Sequence, residues 1–435
     1  MKPLDFGRSD DPRVQAQLDR LSALSVPQGR LGLETIRALL ERLGNPHRKL
    51  PPVFHVAGTN GKGSTCAFLR AMLEAEGYKV HVTTSPHLVR YNERIRLAGE
   101  LISDEALAAV LAEVLDAGED LGPSFFEVTI AAAFLAFSRV PADVCVIEVG
   151  MGGRFDATNV LEPEALAACG IAALGLDHER FLLAPEDGVP QEPMARIAFE
   201  KAGIAKRGVP LVTLHGTYPP EAQAAIRTVA ALTGAALHEG FDSCYEFDGR
   251  AEYLRDDYTE IPLFPALPGA HQALNLCLAI SMLRLQDRLA ISENAIFTGA
   301  KTARWPARMQ RLGPGPLTAL VAEQTVWLDG GHNPSAGAAI AAHFDGPLHL
   351  VIGMIEGKDP RAIIEPLGNR IRTLTVVPVP GHDHHPAQAF GPEARAAADI
   401  EEALFHIAGD DYPILIAGSL YLAGEVLRLN GELPD

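Results

Sequence analysis

Short apolar runs recur through the first part of the chain, at Val53–Ala57, Val80–Thr83, Val144–Val149, Ala168–Leu174 and Leu211–Leu214. Each is too short for an independent helix and shows little polar alternation, the pattern of a strand buried on both faces. Between several of them the apolar spacing becomes helical, as at Asp104–Leu115, Glu127–Phe137 and Pro193–Ala202. Ahead of the first strand, residues 12–48 carry helical stripes through Leu18, Leu21, Leu31, Ile36, Leu39, Leu40 and Leu43. Alternating strands and helices predict an α/β protein with a parallel sheet covered on both faces. Ligands of such sheets sit at the carboxyl ends of the strands, which directs attention to the loops after Ala57, Thr83, Val149 and Leu174.

The alternation breaks near residue 303. A helical pattern, Ser292–Thr302, runs into Arg304-Trp305-Pro306-Ala307-Arg308, and strand-like runs resume at Val326–Leu328, Leu348–Ile352, Thr373–Val377 and Ile414–Ala417. We therefore expect two units, 1–303 and 304–435, each long enough to bury its own core. There are no internal repeats and no low-complexity linker.

Composition narrows the function. The formal net charge of −18 repels nucleic acid and anionic membrane, leaving small molecules as the expected partners. No run is long and apolar enough to span a bilayer, and Met1–Asp11 is polar, unlike a signal peptide. The cysteines (Cys66, Cys145, Cys169, Cys244, Cys277) are odd in number and scattered, which suits a reducing compartment and argues against a disulfide framework. A cytoplasmic monomer is the expectation.

The first strand runs into Gly58-Thr59-Asn60-Gly61-Lys62-Gly63-Ser64, ahead of a helical stretch, Cys66–Glu76. Backbone N–H groups and a lysine at a helix N-terminus make a phosphate cradle. The common pattern GxxxxGK[ST] would place glycine at Val56 and a hydroxyl residue at Gly63. That hydroxyl normally holds Mg²⁺. Thr83-Thr84-Ser85-Pro86-His87-Leu88, at the next strand end, offers a replacement. Glu148 ends an apolar strand, where a carboxylate is costly unless it meets a cation. His178 lies in Gly175-Leu176-Asp177-His178-Glu179, a loop after an apolar run. Lys201 lies near the end of a helix that the pattern closes with Gly203 as a C-cap.

Taken together, these segments resemble the Mur ligase superfamily, and within it the folate branch of folylpolyglutamate synthases and bifunctional dihydrofolate synthases. The motifs stand in family order: Ala57–Ser64, Ser85–Leu88 with Glu93-Arg94, Glu148–Asn159, Leu176–His178, Glu200–Ile204, His271-Gln272, Trp305–Arg308, Asp329–Pro334 and Gly418-Ser419. The resemblance implies an N-terminal P-loop-type parallel-sheet domain binding ATP and pterin, plus a smaller Rossmann-like C-terminal ligase domain. It implies that Gly58, Thr59, Asn60, Gly61, Lys62, Gly63 and Ser64 hold the ATP phosphates. Gln272, Arg308 and Asp329 match nucleotide-contacting positions. Thr84, Glu148, His178 and Lys201 match the metal side, with two Mg²⁺ ions and with Lys201 carboxylated by CO₂ into an anionic ligand. Lys62, His178 and Lys201 are the implied catalytic groups. Ser124, Phe125, Phe126, Glu127 and Asp156 match a pterin pocket, where rings stack on a flat heterocycle and an acid accepts its N–H groups.

Three departures from the family pattern stand out. Ala307 replaces a common glycine, Gly331 a common alanine, and the interval from His178 to Lys201 carries an extra segment, Leu182–Pro193. Gly381-His382-Asp383-His384-His385-Pro386 lacks zinc-site spacing and reads as a substrate-side or surface loop. The implied reaction is ATP-dependent ligation of L-glutamate to a pterin acid or folate through an acyl phosphate. A peptidoglycan-precursor ligase is the alternative within the superfamily, disfavoured by the short stretch before Gly58, and a non-catalytic nucleotide-binding regulator is the alternative outside it.

Overall fold

The computed structural model describes residues 9–24, 32–214, 216–240, 243–321, 324–407, 409 and 411–434. Leu31 and most of Met1–Asp11 lie outside them. The first unit is built on an eight-stranded sheet. Its strands are β1 (Val53–Ala57), β2 (Val80–Thr83), β3 (Ile95–Leu97), β4 (Glu100–Leu101), β5 (Val144–Glu148), β6 (Leu166–Ile171), β7 (Pro210–Thr213) and β8 (Ala236–His238). Their order is β4-β3-β2-β5-β1-β6-β7-β8, parallel except for the antiparallel edge formed by β3 and β4. β1, β5 and β6 are buried at every position, which explains why they read as unbroken apolar runs.

Helix limits follow local chemistry. The helix expected over Glu127–Phe137 begins two residues earlier, at Phe125, because Ser124 and Glu127 form a reciprocal capping box. The helix after the phosphate loop starts at Lys62 and stops at Glu76, where Gly77 adopts φ 99°. β6 ends at Ile171 rather than Leu174. Beyond it the carbonyl of Ala173 turns to accept the N–H groups of Thr59 and Asn60, at 2.8 and 3.1 Å.

A three-stranded antiparallel sheet follows: β9 (Cys244–Phe247), β10 (Arg250–Leu254) and β11 (Glu260–Leu263). The sequence reading missed it. Its signal was the Asp248-Gly249 pair, whose φ values of 52° and 75° suit a two-residue hairpin turn. Cys244 on β9 is joined to Cys277 on the helix His271–Leu285. This corrects the expectation of unpaired cysteines; partners 33 residues apart meet only through helix-on-sheet packing. Cys66, Cys145 and Cys169 remain free and buried.

The second sheet comprises β12 (Gln310–Arg311), β13 (Val326–Leu328), β14 (Leu348–Ile352), β15 (Ile371–Val376), β16 (Arg395–Ala396) and β17 (Ile414–Ala417). The order is β12-β13-β17-β14-β15-β16, parallel apart from β12. One apolar core fills the first unit from Val14 to Ala303; two further clusters pack around the second sheet. Among the described residues no helix is long and apolar enough to cross a membrane.

Candidate active site

The phosphate loop lies where β1 gives way to its helix. Gly58 has φ 148° and Gly61 has φ 84°, so both need a residue without a side chain. A Cβ on Gly61 would also lie 2.3 Å from Oδ1 of Asn275. Gly63, the position that usually bears a hydroxyl, is closed off differently: its Cβ would lie 2.6 Å from the indole of Trp305. Thr59 Oγ1 donates to Gly175 O at 2.9 Å, tying the loop to the segment that leads to His178. Ser64 is buried in the first turn of the helix. Lys62 Nζ donates to Thr59 O at 3.3 Å and stands 3.9 Å from Glu148 Oε1.

Glu148 Oε2 accepts the N–H of Ser85 at 3.1 Å. Burial pushes its pKa up, with Lys62, Ser85 and the guanidinium groups of Arg308 and Arg94 opposing. Thr84 is buried beside it, and its hydroxyl makes only a long contact, 3.4 Å, to Glu93 O. A single cavity is lined by Gly63, Thr84, Glu148, Trp305 and Arg308, so residues of both units meet there. The Ser85–Leu88 loop is held by Glu93, whose carboxylate accepts the N–H groups of Leu88, Val89 and Arg90 at 2.6–2.9 Å.

Lys201 is buried and donates to Gly58 O at 2.9 Å. Burial lowers its pKa to about 7, and the nearby Lys62 adds to this. Its helix ends at Gly203 as the C-cap, as expected, though in a right-handed conformation. Gly203 has φ −58°, and its role is close packing, since a Cβ would lie 2.4 Å from Cβ of Arg154. His178 sits at φ 52° with its side chain 48% exposed in the cleft. Partial enclosure lowers its pKa to about 4, against the pull of Asp177 and with the push of Lys358, Lys62 and Lys201. Neighbouring Asp177 pairs with Lys358 of the second unit at 2.6 Å. Burial would raise its pKa, but His178, Lys358 and His332 outweigh that and hold the carboxyl well below the usual range.

Among the described residues no group of three or more His, Cys, Asp and Glu is arranged to hold a metal ion. Mg²⁺ does not need such a cage; it is commonly bound by one or two carboxylates plus substrate phosphates. Glu148 fits that demand, being a buried carboxyl with one backbone donor and a lysine 3.9 Å away at the mouth of a phosphate loop. Lys201 as an ammonium has no lone pair for a cation, and Mg²⁺ prefers oxygen ligands, so the residue fits that metal only after carboxylation.

The other expected residues carry structural bonds. Asp156 is buried and accepts from Thr158 N, Thr158 Oγ1 and Met151 N at 3.0, 2.5 and 2.8 Å, capping a short helical turn. Burial raises its pKa against these bonds. Phe126 covers Gly150, where a Cβ would lie 2.3 Å from its ring; Phe125 packs edge-on against Tyr91. Gln272 Oε1 accepts from Asn275 at 2.9 Å. Asp329 accepts the N–H groups of Met309 and Gly331 at 2.8 and 2.7 Å, and Arg308 lies beside it. The His382–His385 segment is anchored in the second unit, with His382 stacked on Tyr421 and His385 bonded to Lys358 O at 2.8 Å.

Several participants were given no role by the sequence reading, although Asn333, Trp305 and Asp177 lie inside its motifs. Asn333 exchanges amide bonds with Asn60 at 3.1 and 3.3 Å, joining the phosphate loop to the helix Pro334–Ala341 of the second unit. Asn275, Trp305, Asp177 and Lys358 likewise act across elements. Only Asn275, one turn after Gln272 on the same helix face, could have been found from local spacing.

No family model matches the chain. It is 32% identical to the dihydrofolate synthase/folylpolyglutamate synthase of Bacillus subtilis (strain 168), over 91% of this chain and 94% of that one. E. coli FolC in complex with DHPP and ADP superposes with a TM-score of 0.80 at 29% identity, covering 95% and 97% of the two chains. A bifunctional folylpolyglutamate synthase/dihydrofolate synthase with Mn, AMPPNP and L-glutamate bound gives 0.79 at 28% identity, covering 98% and 99%. The chain thus belongs to the folylpolyglutamate synthase/dihydrofolate synthase family of ATP-dependent ligases.

Proposed function

We propose that the site described above joins L-glutamate to the carboxylate of dihydropteroate, a reduced folate, or both, by way of an acyl phosphate. A carboxylate oxygen of the pterin acid attacks the γ-phosphorus, the bond to the ADP oxygen breaks, and ADP leaves. The glutamate amine then attacks the acyl carbon, phosphate departs with the bonding electrons, and the nitrogen loses its proton. Gly58–Ser64 hold the phosphates, with Lys62 facing the charge that develops in transfer. Gln272, Arg308 and Asp329 shape the nucleotide side. Ser124, Phe125, Phe126, Glu127 and Asp156 shape the pterin side. Two Mg²⁺ ions, when bound, supply positive charge to the phosphates; Thr84 and Glu148 would hold one, and His178 with a carboxylated Lys201 the other. We take residue 303 as the boundary between the units and the enzyme as a cytoplasmic monomer.

The observation that carries this reading is the cavity in which Glu148, Thr84 and Gly63 meet Arg308 and Trp305, with Lys62 3.9 Å from Glu148. A nucleotide regulator has no use for a buried lysine with its pKa near 7, set among the carboxylates of Asp177, Asp156 and Glu200 and bonded to the phosphate loop at Gly58 O. Phosphate release that needs ATP, a pterin acid and L-glutamate together is the expected result. Release with ATP alone would favour the regulator, and release with a UDP-sugar peptide would favour the peptidoglycan branch.

A further inference from the structure

The stretch between His178 and the helix Pro193–Ala202, which holds the extra segment Leu182–Pro193, has no part in the chemistry so far. It opens with a helical turn, Glu179–Leu182, directly after His178. Leu182 is buried against the glycine loop, where a Cβ on Gly152 would lie 2.9 Å from Leu182 Cδ2. Gln191 closes the segment by donating to the carbonyls of Glu186 and Val189 at 3.1 and 2.8 Å.

Of its acidic residues Glu179, Glu186, Asp187 and Glu192, Glu186 points inward and is 14% exposed. It accepts from Arg154 at 2.5 and 3.2 Å and from Arg196 at 2.8 Å. The same arginines both grip Glu200, Arg154 at 2.8 and 3.0 Å and Arg196 at 3.0 Å. Arg196 Nε also donates to Leu182 O at 3.1 Å. Two guanidinium groups and two carboxylates thus meet in one set with bidentate geometry. Arg154 belongs to the loop that follows Glu148. Arg196 and Glu200 belong to the helix that carries Lys201. The extra segment follows His178. The elements bearing all three residues converge on this one set. The backbone repeats the link, since Arg154 N donates to Glu200 O at 2.7 Å and Gly153 has no room for a Cβ against Glu200 O and Lys201 O.

We infer that Glu186 is a positioning residue for Lys201, acting through Arg154, Arg196 and Glu200. Without it two guanidinium groups would share one carboxylate, leaving an uncompensated positive charge next to the lysine helix. The end of that helix would then shift against the glycine loop and against the carbonyl of Gly58. Misplacement of a reacting group by about an ångström costs on the order of a hundredfold in rate. The inference rests on the role given to Lys201 above.

The test uses the full chain carrying Glu186→Gln or Glu186→Asp. Steady-state rates are measured at 15 °C, well below the melting point, alongside thermal melts and ¹³C NMR of enzyme equilibrated with ¹³C-bicarbonate. For Glu186→Gln we expect kcat to fall at least about tenfold, KM for ATP to stay within about twofold, and the lysine carbamate resonance to weaken. Glu186→Asp, which keeps the charge, should recover most of kcat. A brace that only stabilised the fold would lower the melting point and leave kcat at 15 °C unchanged; that result overturns the inference. The two readings fail separately. A wild-type enzyme without a carbamate resonance removes the carboxylation of Lys201, and the kcat arm still decides whether Glu186 positions the lysine. A normal resonance with an unchanged Glu186→Gln kcat removes the positioning role alone.

Discussion

Replacing Gly63 with alanine tests the reading of the altered phosphate loop most directly. The common pattern has a hydroxyl residue here, yet a Cβ would lie 2.6 Å from two carbons and 2.7 Å from the nitrogen of the Trp305 indole. Ordinary carbon contacts begin about 1 Å further out, and a rigid indole cannot yield as a lysine tip would. Overpacking of this kind costs about 1–3 kcal/mol, while alanine returns up to about 1 kcal/mol over glycine in a helix. With the full helix gain the net penalty is up to about 2 kcal/mol. If roughly 300 residues of the first unit unfold together at about 2 cal/mol/K per residue, the midpoint falls by up to about 3 °C. Trp305 also lies at the junction of the units, so the strain can instead be relieved by the indole swinging outward. The midpoint then barely moves and kcat/KM for ATP falls about tenfold. Calorimetry and steady-state kinetics on one preparation separate the two routes, and the double variant Gly63→Ala/Trp305→Leu should restore whichever quantity was lost. A single variant that keeps both its wild-type midpoint and its kcat/KM for ATP refutes the steric account of the missing hydroxyl.

Other consequences are equally open to measurement. Glu148→Gln and His178→Ala should abolish phosphate release with circular dichroism unchanged; near-normal rates for both at low Mg²⁺ would remove them from the metal side. Asp156→Ala should weaken pterin-acid binding far more than ATP binding by calorimetry, and equal losses would leave Asp156 as a helix cap only. Lys201→Ala should be almost inactive and partly rescued by a small carboxylic acid, whereas Lys201→Arg should stay inactive, because a guanidinium cannot form the anion. Burial also gives Lys201 a pH signature in the metal-free, CO₂-free protein. Its folded pKa of about 7 lies below the unfolded value of roughly 10.4, so between them the unfolded chain holds a proton the native chain lacks. Stability from this group is flat below pH 7 and rises above it, by up to about 1.4 kcal/mol per pH unit. Denaturant midpoints of Lys201→Met that run parallel to wild type from pH 6 to 9.5 would contradict it.

Where burial dictates composition, the chain was legible. Val326–Leu328, Leu348–Ile352 and Ile414–Ala417 stand as strands with the limits their apolar runs suggested, because strands buried on both faces admit few polar residues. The phosphate loop was legible for a related reason: positive φ at Gly58 and Gly61 leaves glycine as the natural residue. Legibility fell wherever the partner is distant in sequence. Asp156 illustrates the limit from the other side. Its motif assigned it to a substrate, and the fold gives it three internal donors, so the same carboxylate shapes the loop it was expected to serve.

Distance in sequence also decides which parts of the site could be assigned before the fold was known. Gly63 reads as a defect in a phosphate-loop pattern until Trp305 is placed against it, and Ala307 as a small departure until its φ of 53° is seen, a conformation glycine adopts without strain. Lys358 has no motif of its own, and Asn333 stands in one without an assigned role; they matter because they bond to Asp177 and Asn60 across the two units. The extra segment Leu182–Pro193 stands in the sequence only as a departure from the family pattern. Its inward acid Glu186 joins a charge set whose other members sit in the glycine loop and on the lysine helix, so the segment braces the geometry beside it. A motif reports which residues meet the ligand, because the ligand is the same across relatives. It does not report how a given chain holds those residues still, and that part of the site is carried by pairs that only the fold brings together.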